Sequence, residues 1–160
     1  FRIRWYGIEA FKSKPILEVK KKINNLCDKT LYDLDEWEFT KSNDIINSLI
    51  SYLSQKNFEK NLINELKILE PTLFISYRRK YYMSKIINCR VTLDEDIEYR
   101  RININSKFDL KSHTKENTMI MELKYPPNIG SHYLTFLSKL PFRLSRNSKY
   151  INGIRQFIFK

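Results

Sequence analysis

Ionised side chains recur at two-residue spacing in this sequence, separated by apolar residues. Arg2 and Arg4 flank Ile3, Glu18 and Lys20 flank Val19, and Glu122 and Lys124 flank Leu123. Arg90, Thr92 and Asp94 alternate with Val91 and Leu93, and Arg79 has Tyr77 and Tyr81 at the same spacing. On a strand, side chains two apart project from one face roughly 7 Å apart, close to the distance between neighbouring phosphates in an extended chain of them. Arginine adds a planar fork that contacts phosphate through two parallel hydrogen bonds. The pattern suits a multiply charged phosphate anion. An antiparallel sheet with one face in water gives a similar alternation. The recurrence of Arg, and two Glu-x-Lys tripeptides in strand context, speak against a merely solvated face, and the alternative geometry is a closed barrel with a charged interior. There, basic residues cradle phosphates while a carboxylate holds a divalent metal.

The charge balance agrees. The 160 residues carry 29 Lys+Arg against 18 Asp+Glu, a formal net charge of +11, which points to an anionic partner. Other chemistries have little to stand on. His113 and His132 are isolated, which disfavours a histidine-based zinc site or a Ser-His-Asp triad. Cys27 and Cys89 lie far apart with no metal spacing and read as unpaired thiols in a reducing compartment. No run approaches the ~18 apolar residues a membrane span needs. With 42% apolar and 14% aromatic residues and only 3 Gly, the chain has the means to bury a core and the length of one domain.

These residues need strands to present them. The chain opens inside one, since Phe1, Ile3 and Trp5 alternate with Arg2, Arg4 and Tyr6 up to Gly7, so an upstream segment is expected. Leu17 and Val19 mark a second strand after Pro15, forming a hairpin with the first. Residues 24–40 read as a loop with a short strand near Leu31. Ser42 or Asn43 offers a cap for a helix carrying Ile45, Ile46, Leu49, Ile50 and Leu53. A second helix is expected from near Asn57 to Leu69, closing before Pro71. Strands are then expected over Thr72–Tyr82, Cys89–Leu93 and Ile97–Ile102, with Asp94 and Asp96 as strand-end and turn groups. Asn103–Asn117 reads as a loop and Thr118–Tyr125 as a strand. A short helix through Leu134, Leu137 and Leu140 follows, and a last helical segment capped by Ser148 runs through Ile154.

Taken in order, six stretches resemble the vacuolar transporter chaperone (VTC) domain, the polyphosphate polymerase branch of the triphosphate tunnel, or CYTH-like, enzymes. They are Arg2–Gly7, Leu17–Lys20, Ser76–Arg79, Cys89–Asp94, Met121–Tyr125 and Ser145–Ile154, and together they span nearly the whole chain. The resemblance implies an α+β fold in which an antiparallel β-barrel tunnel binds triphosphate and helices pack outside. It implies one domain over residues 1–160, lacking the first strand or strands that an upstream segment supplies in family members.

The resemblance also assigns roles. Arg2, Arg4, Lys20, Arg79, Arg90 and Lys124 would line the tunnel as phosphate ligands, with Arg79, Arg90 and Lys124 nearest the chemistry. Lys149 would be a cation near the tunnel mouth, and Glu122 the ligand of Mn²⁺ or Mg²⁺. Glu18 reads either as a second acidic group inside or as a counter-charge for neighbouring lysines. The implied activity is transfer of the γ-phosphoryl group of ATP onto polyphosphate, which needs positioning and charge neutralisation rather than a nucleophilic side chain. ATP and polyphosphate would be the partners, with no specific nucleic acid. The expected location is cytoplasmic, any membrane tether lying in segments outside this chain. Two other readings stay open. The same ligands serve triphosphate hydrolysis, and basic residues interleaved with Tyr77, Tyr81, Tyr82 and Tyr99 suit a non-catalytic module that binds polyphosphate or stacks RNA bases.

Overall fold

The computed structural model describes residues 1–7, 14–23, 26–38, 44–84, 89–102, 108–126, 135, 138–141 and 143–158, with the side chains of 22–27 and 108–112 set aside. The described residues fall into two compact units, one drawn from Phe1–Pro71 and the other from Thr72 onward. Both are built on antiparallel strands, so the α+β class holds.

In the first unit β1 (Arg2–Arg4), β2 (Ile16–Ile23) and β3 (Leu26–Asp33) form a sheet in the order β1-β2-β3. The pairing of Arg2 with Glu18 and of Lys20 with Lys29 sets the register. The expected hairpin partners β1 and β2 are thus antiparallel neighbours. β3 is longer than the short strand expected near Leu31. Its apolar alternation is weak because its ladder with β2, rather than a buried face of its own, holds it extended.

Two helices follow, α1 (Ile45–Gln55) and α2 (Lys60–Lys67). Their buried faces, Ile45, Leu49 and Leu53 on α1 and Leu62, Ile63 and Leu66 on α2, have the spacing that the sequence showed. Asp44 caps α1, its carboxylate accepting from the amides of Ile46 and Asn47. The expected caps Ser42 and Asn43 lie outside the described residues. α2 begins later than expected, because Asn57 takes a left-handed backbone (φ 56°) that Asn tolerates in a turn. Phe58 therefore sits in the link, packing edge-on against Tyr32 with ring centroids 5.8 Å apart. Leu17 and Val19 are buried on one face of the sheet. On that same face Lys21 reaches Glu65 of α2 at 3.5 Å.

In the second unit β5 (Cys89–Ile102) is central. β4 (Leu73–Ser84) pairs along one edge, while β6 (Phe108–Glu116) and β7 (Ile120–Lys124) follow each other along the opposite edge. The sequence suggests two strands where β5 is one. The apparent break is a bulge, with Asp96 at φ 53° and the register with β4 shifting between Ser76 and Arg78. The extra residue resets the alternation, so Ile97 and Tyr99 are buried on the same face as Thr92 and Asp94. Over Phe108–Glu116, β6 replaces part of the loop expected over 103–117. A strand rich in polar residues leaves little hydrophobic period, yet its backbone completes the edge of β5.

The final helix, α3 (Lys149–Ile158), starts where expected and runs four residues past Ile154. The Ser148 hydroxyl accepts from the Ile151 amide at 3.4 Å. Gly153 lets the helix lie close on the sheet. A Cβ there would sit 2.4 Å from Leu73 Cδ2 and 2.6 Å from Tyr99 Cδ1. The helix expected around Leu134–Leu140 falls largely outside the described residues, as does His132. Cys89 is a buried free thiol. Among the described residues the strands make two open sheets, with no closed barrel, and no helix is long and apolar enough to cross a membrane.

Candidate functional site

Register decides what shares a face in the second unit. Arg79 lies directly across from Asp94, Tyr81 from Thr92, Thr92 from Glu122, and Arg90 from Lys124. Side chains of paired residues project to the same side, so Arg79, Arg90, Glu122 and Lys124 occupy one face. Lys149 reaches that face from the first turn of α3.

The centre of this group is Asp94, fully buried. Its Oδ1 accepts from Arg79 Nε at 2.5 Å and its Oδ2 from Arg79 Nη2 at 2.7 Å. Lys149 Nζ lies 2.5 Å from the same Oδ2. The Arg79 guanidinium also stands over the rings of Tyr77 and Tyr81, at 5.2 and 5.9 Å from their centroids, and Lys149 Nζ lies 4.8 Å from the Tyr77 centroid. Burial pushes the Asp94 carboxyl up, but hydrogen bonds from Arg79 and Lys149 outweigh it and hold the group below its usual range. The hydrogen bond to Asp94 in turn raises Arg79 further. Asp94 is therefore held as an anion.

Glu122 lies toward the open side of this group. Arg79 Nη2 is 3.8 Å and Lys124 Nζ 3.2 Å from its carboxylate oxygens. Its side chain is 44% exposed, against 1% for Asp94, so of the two acids Glu122 has oxygens to offer. Across from it the Thr92 hydroxyl oxygen is buried with no hydrogen-bond partner. No cluster of three or more His, Cys, Asp or Glu suited to a metal occurs among the described residues. A cation held here would depend on Glu122 together with oxygens from its substrate, which is how Mg²⁺ commonly binds at phosphate sites.

The opposite face of the same sheet is of another kind. There Arg78 and Lys80 pair with Glu95 at 3.1 and 2.7 Å, Arg78 with Asp96 at 2.7 Å, and Lys115 and His113 with Glu98 at 2.9 and 3.2 Å. In these pairs the cations lie largely in water while Glu95 and Glu98 are part-buried, and such near-surface pairs contribute little. The solvated-face reading of the alternation belongs to that side. Tyr82 also lies there, and Tyr99 is fully buried, so the four tyrosines do not share a base-stacking platform.

The first unit holds a second basic cluster, centred on Glu18. Arg2 grips this buried carboxylate through Nη2 at 2.8 and 2.7 Å, with Arg4 and Lys20 both at 3.4 Å and Lys29 at 3.7 Å. Burial raises the Glu18 carboxyl, but the Arg2 hydrogen bond and the charges of Arg2, Arg4 and Lys29 prevail and bring it from 4.5 down to about 2. Glu18 is thus the counter-charge of four cations.

The charged site residues expected from the sequence fall into two groups. Arg2, Arg4 and Lys20 gather around Glu18, and Arg79, Arg90, Glu122, Lys124 and Lys149 share the face around Asp94. The sequence reading missed two members. Lys29 sits on a strand with little alternation to advertise it. Asp94 was legible in the Arg90-Thr92-Asp94 spacing, but as a strand-end group. The structure corrects this to mid-strand, because the bulge lies two residues further on at Asp96. The family model of the VTC domain matches residues 1–158. No curated protein sequence matches the chain.

Proposed function

The chain belongs to the VTC domain family, and from that premise we propose that it catalyses metal-dependent phosphoryl transfer, building polyphosphate from the γ-phosphate of ATP. The observation that carries the proposal is the set of four cations on one sheet face, Arg79, Arg90, Lys124 and Lys149, beside a half-exposed carboxylate. No thiol or imidazole lies among them. Such a set suits a reaction whose transition state spreads negative charge over phosphoryl oxygens and asks the protein for positioning.

In this reading the cations hold the triphosphate of ATP and the end of the growing chain in line. A terminal oxygen of polyphosphate attacks the γ-phosphorus, a new P–O–P bridge forms, and the bond to ADP breaks. Arg79 and Lys149 neutralise the transferring group, Arg90 and Lys124 the flanking phosphates, and the cluster of Arg2, Arg4 and Lys20 binds further phosphate. Glu122 would hold Mn²⁺ or Mg²⁺, which when bound supplies charge neutralisation at phosphate oxygens. The triphosphate-tunnel barrel, the cytoplasmic setting, and ATP and polyphosphate as partners without specific nucleic acid belong to the same proposal.

Product analysis tests it. Supplied with ATP and Mn²⁺, the full-length protein is expected to yield phosphate chains and ADP. Orthophosphate released from tripolyphosphate, with no chain growth, would identify a hydrolase instead. Binding without turnover of either substrate would identify a non-catalytic module.

A further inference from the structure

We propose that Asp94 is a positioning residue, which orients the Arg79 fork and ties Lys149 to the sheet so that both cations meet a phosphoryl group in one fixed geometry. A guanidinium has five N–H donors. Asp94 takes one from Nε and one from Nη2, the side edge of the fork. The remaining donors, on Nη1 and Nη2, are not held by Asp94: Tyr81 interacts with the guanidinium through its side chain, and Glu122 lies 3.8 Å from Nη2. A planar group held at two points on one edge resists swinging, and the guanidinium also stands over the Tyr77 and Tyr81 rings. The fork is therefore oriented rather than merely charged.

Lys149 extends the argument. It comes from α3, not from the sheet, and its ammonium contacts the same Asp94 Oδ2 that Arg79 uses. One buried carboxylate thereby sets the spacing between two cations from different elements. Electrostatics alone would disfavour such an acid, because it cancels one positive charge where a polyanion is to bind. Its complete burial and its three short contacts make sense if geometry, not charge, limits the reaction. This inference rests on the phosphoryl-transfer reading for its kinetic consequence, while the clamp itself is a property of the ligand-free protein.

The test uses Asp94→Asn and Arg79→Lys in the full-length protein. The first keeps the shape and removes the anion; the second keeps the cation and removes the fork. In the unaltered, ligand-free protein the Arg79 Nε–H is expected as a slowly exchanging ¹H–¹⁵N resonance, lost in Asp94→Asn. Its absence from the unaltered protein would overturn the clamp whatever reaction the protein performs. With ATP and Mn²⁺, both variants are expected to lose turnover on the order of a hundredfold, while tripolyphosphate binds Asp94→Asn at least as tightly as before. Unchanged turnover, or affinity and turnover falling together in both variants, would show a structural counter-charge only. Arg79→Lys carries the kinetic comparison by itself if Asp94→Asn does not fold. A failure of the reaction proposed above is seen separately, as an unaltered protein that makes no product.

Discussion

Arg90 and Glu18 are charged in opposite senses and fail in opposite ways when altered. Arg90 is exposed, and in the proposed function its fork contacts phosphate. Replacing it with Ala is expected to cost about 1.5–3 kcal/mol of phosphate affinity, the worth of a charge-assisted hydrogen bond, with no loss of melting temperature. Titration with a non-hydrolysable nucleotide measures the first and a thermal melt the second. Glu18 is buried and its carboxyl is lowered from 4.5 to about 2. A depressed acid stabilises the fold fully above its unfolded value, and that contribution drains away as pH falls from near 4.5 toward 2. Glu18→Gln should lower stability by about 1.5–3 kcal/mol at neutral pH and flatten the acid limb of a stability-against-pH profile. An acid limb identical to that of the unaltered protein would contradict the role given to Glu18. Residues of this type are only half visible in a sequence. The i, i+2 spacing shows which side chains share a face of one strand, but Asp94 meets Arg79 across a ladder and Lys149 from a distant helix, and neither meeting has a local signature.

The elements show where local pattern is enough and where it is not. α1 and α2 were legible because their buried faces repeat at the helical period, and β4 because it is one long run of β-branched and aromatic residues. β3 and β6 were not, because each is held by backbone pairing to a neighbour and needs no strong apolar face. The bulge at Asp96 split one strand into two in the sequence reading for a related reason, since an added residue breaks the period without breaking the ladder. α3 carries a sharper prediction. A Cβ on Gly153 would press on Tyr99, whose buried ring has no room to yield, and on the more pliable end of Leu73. Overpacking costs about 1–3 kcal/mol and the helix propensity of Ala returns about 1, so Gly153→Ala is expected to destabilise by up to about 2 kcal/mol. It should also reduce turnover by lifting Lys149 away from Asp94. A variant as stable and as active as the unaltered protein would mean that α3 does not need its close seat.

For the whole molecule, part of the net charge of +11 gathers in two clusters, each with a buried carboxylate at the centre and more cations than it can neutralise. Fold class was readable from the sequence, since alternation and helical period identify antiparallel strands and helices. The closing of strands into a barrel depends on pairings between distant segments, which the alternation along any one strand does not encode. If these cations serve phosphoryl transfer with a divalent metal at Glu122, Glu122→Gln in the full-length protein is the decisive variant. If Glu122 were only a counter-charge to Arg79 and Lys124, neutralising it would leave a more positive face that binds and reacts as well or better. If it holds the metal, the amide loses a charged oxygen of the kind that Mn²⁺ and Mg²⁺ prefer. The measurement is Mn²⁺-dependent formation of polyphosphate from ATP, alongside tripolyphosphate binding. Glu122→Gln is expected to retain binding and lose nearly all turnover; turnover equal to that of the unaltered protein at ordinary Mn²⁺ concentration would show that the metal lies elsewhere or that Glu122 is a counter-charge only.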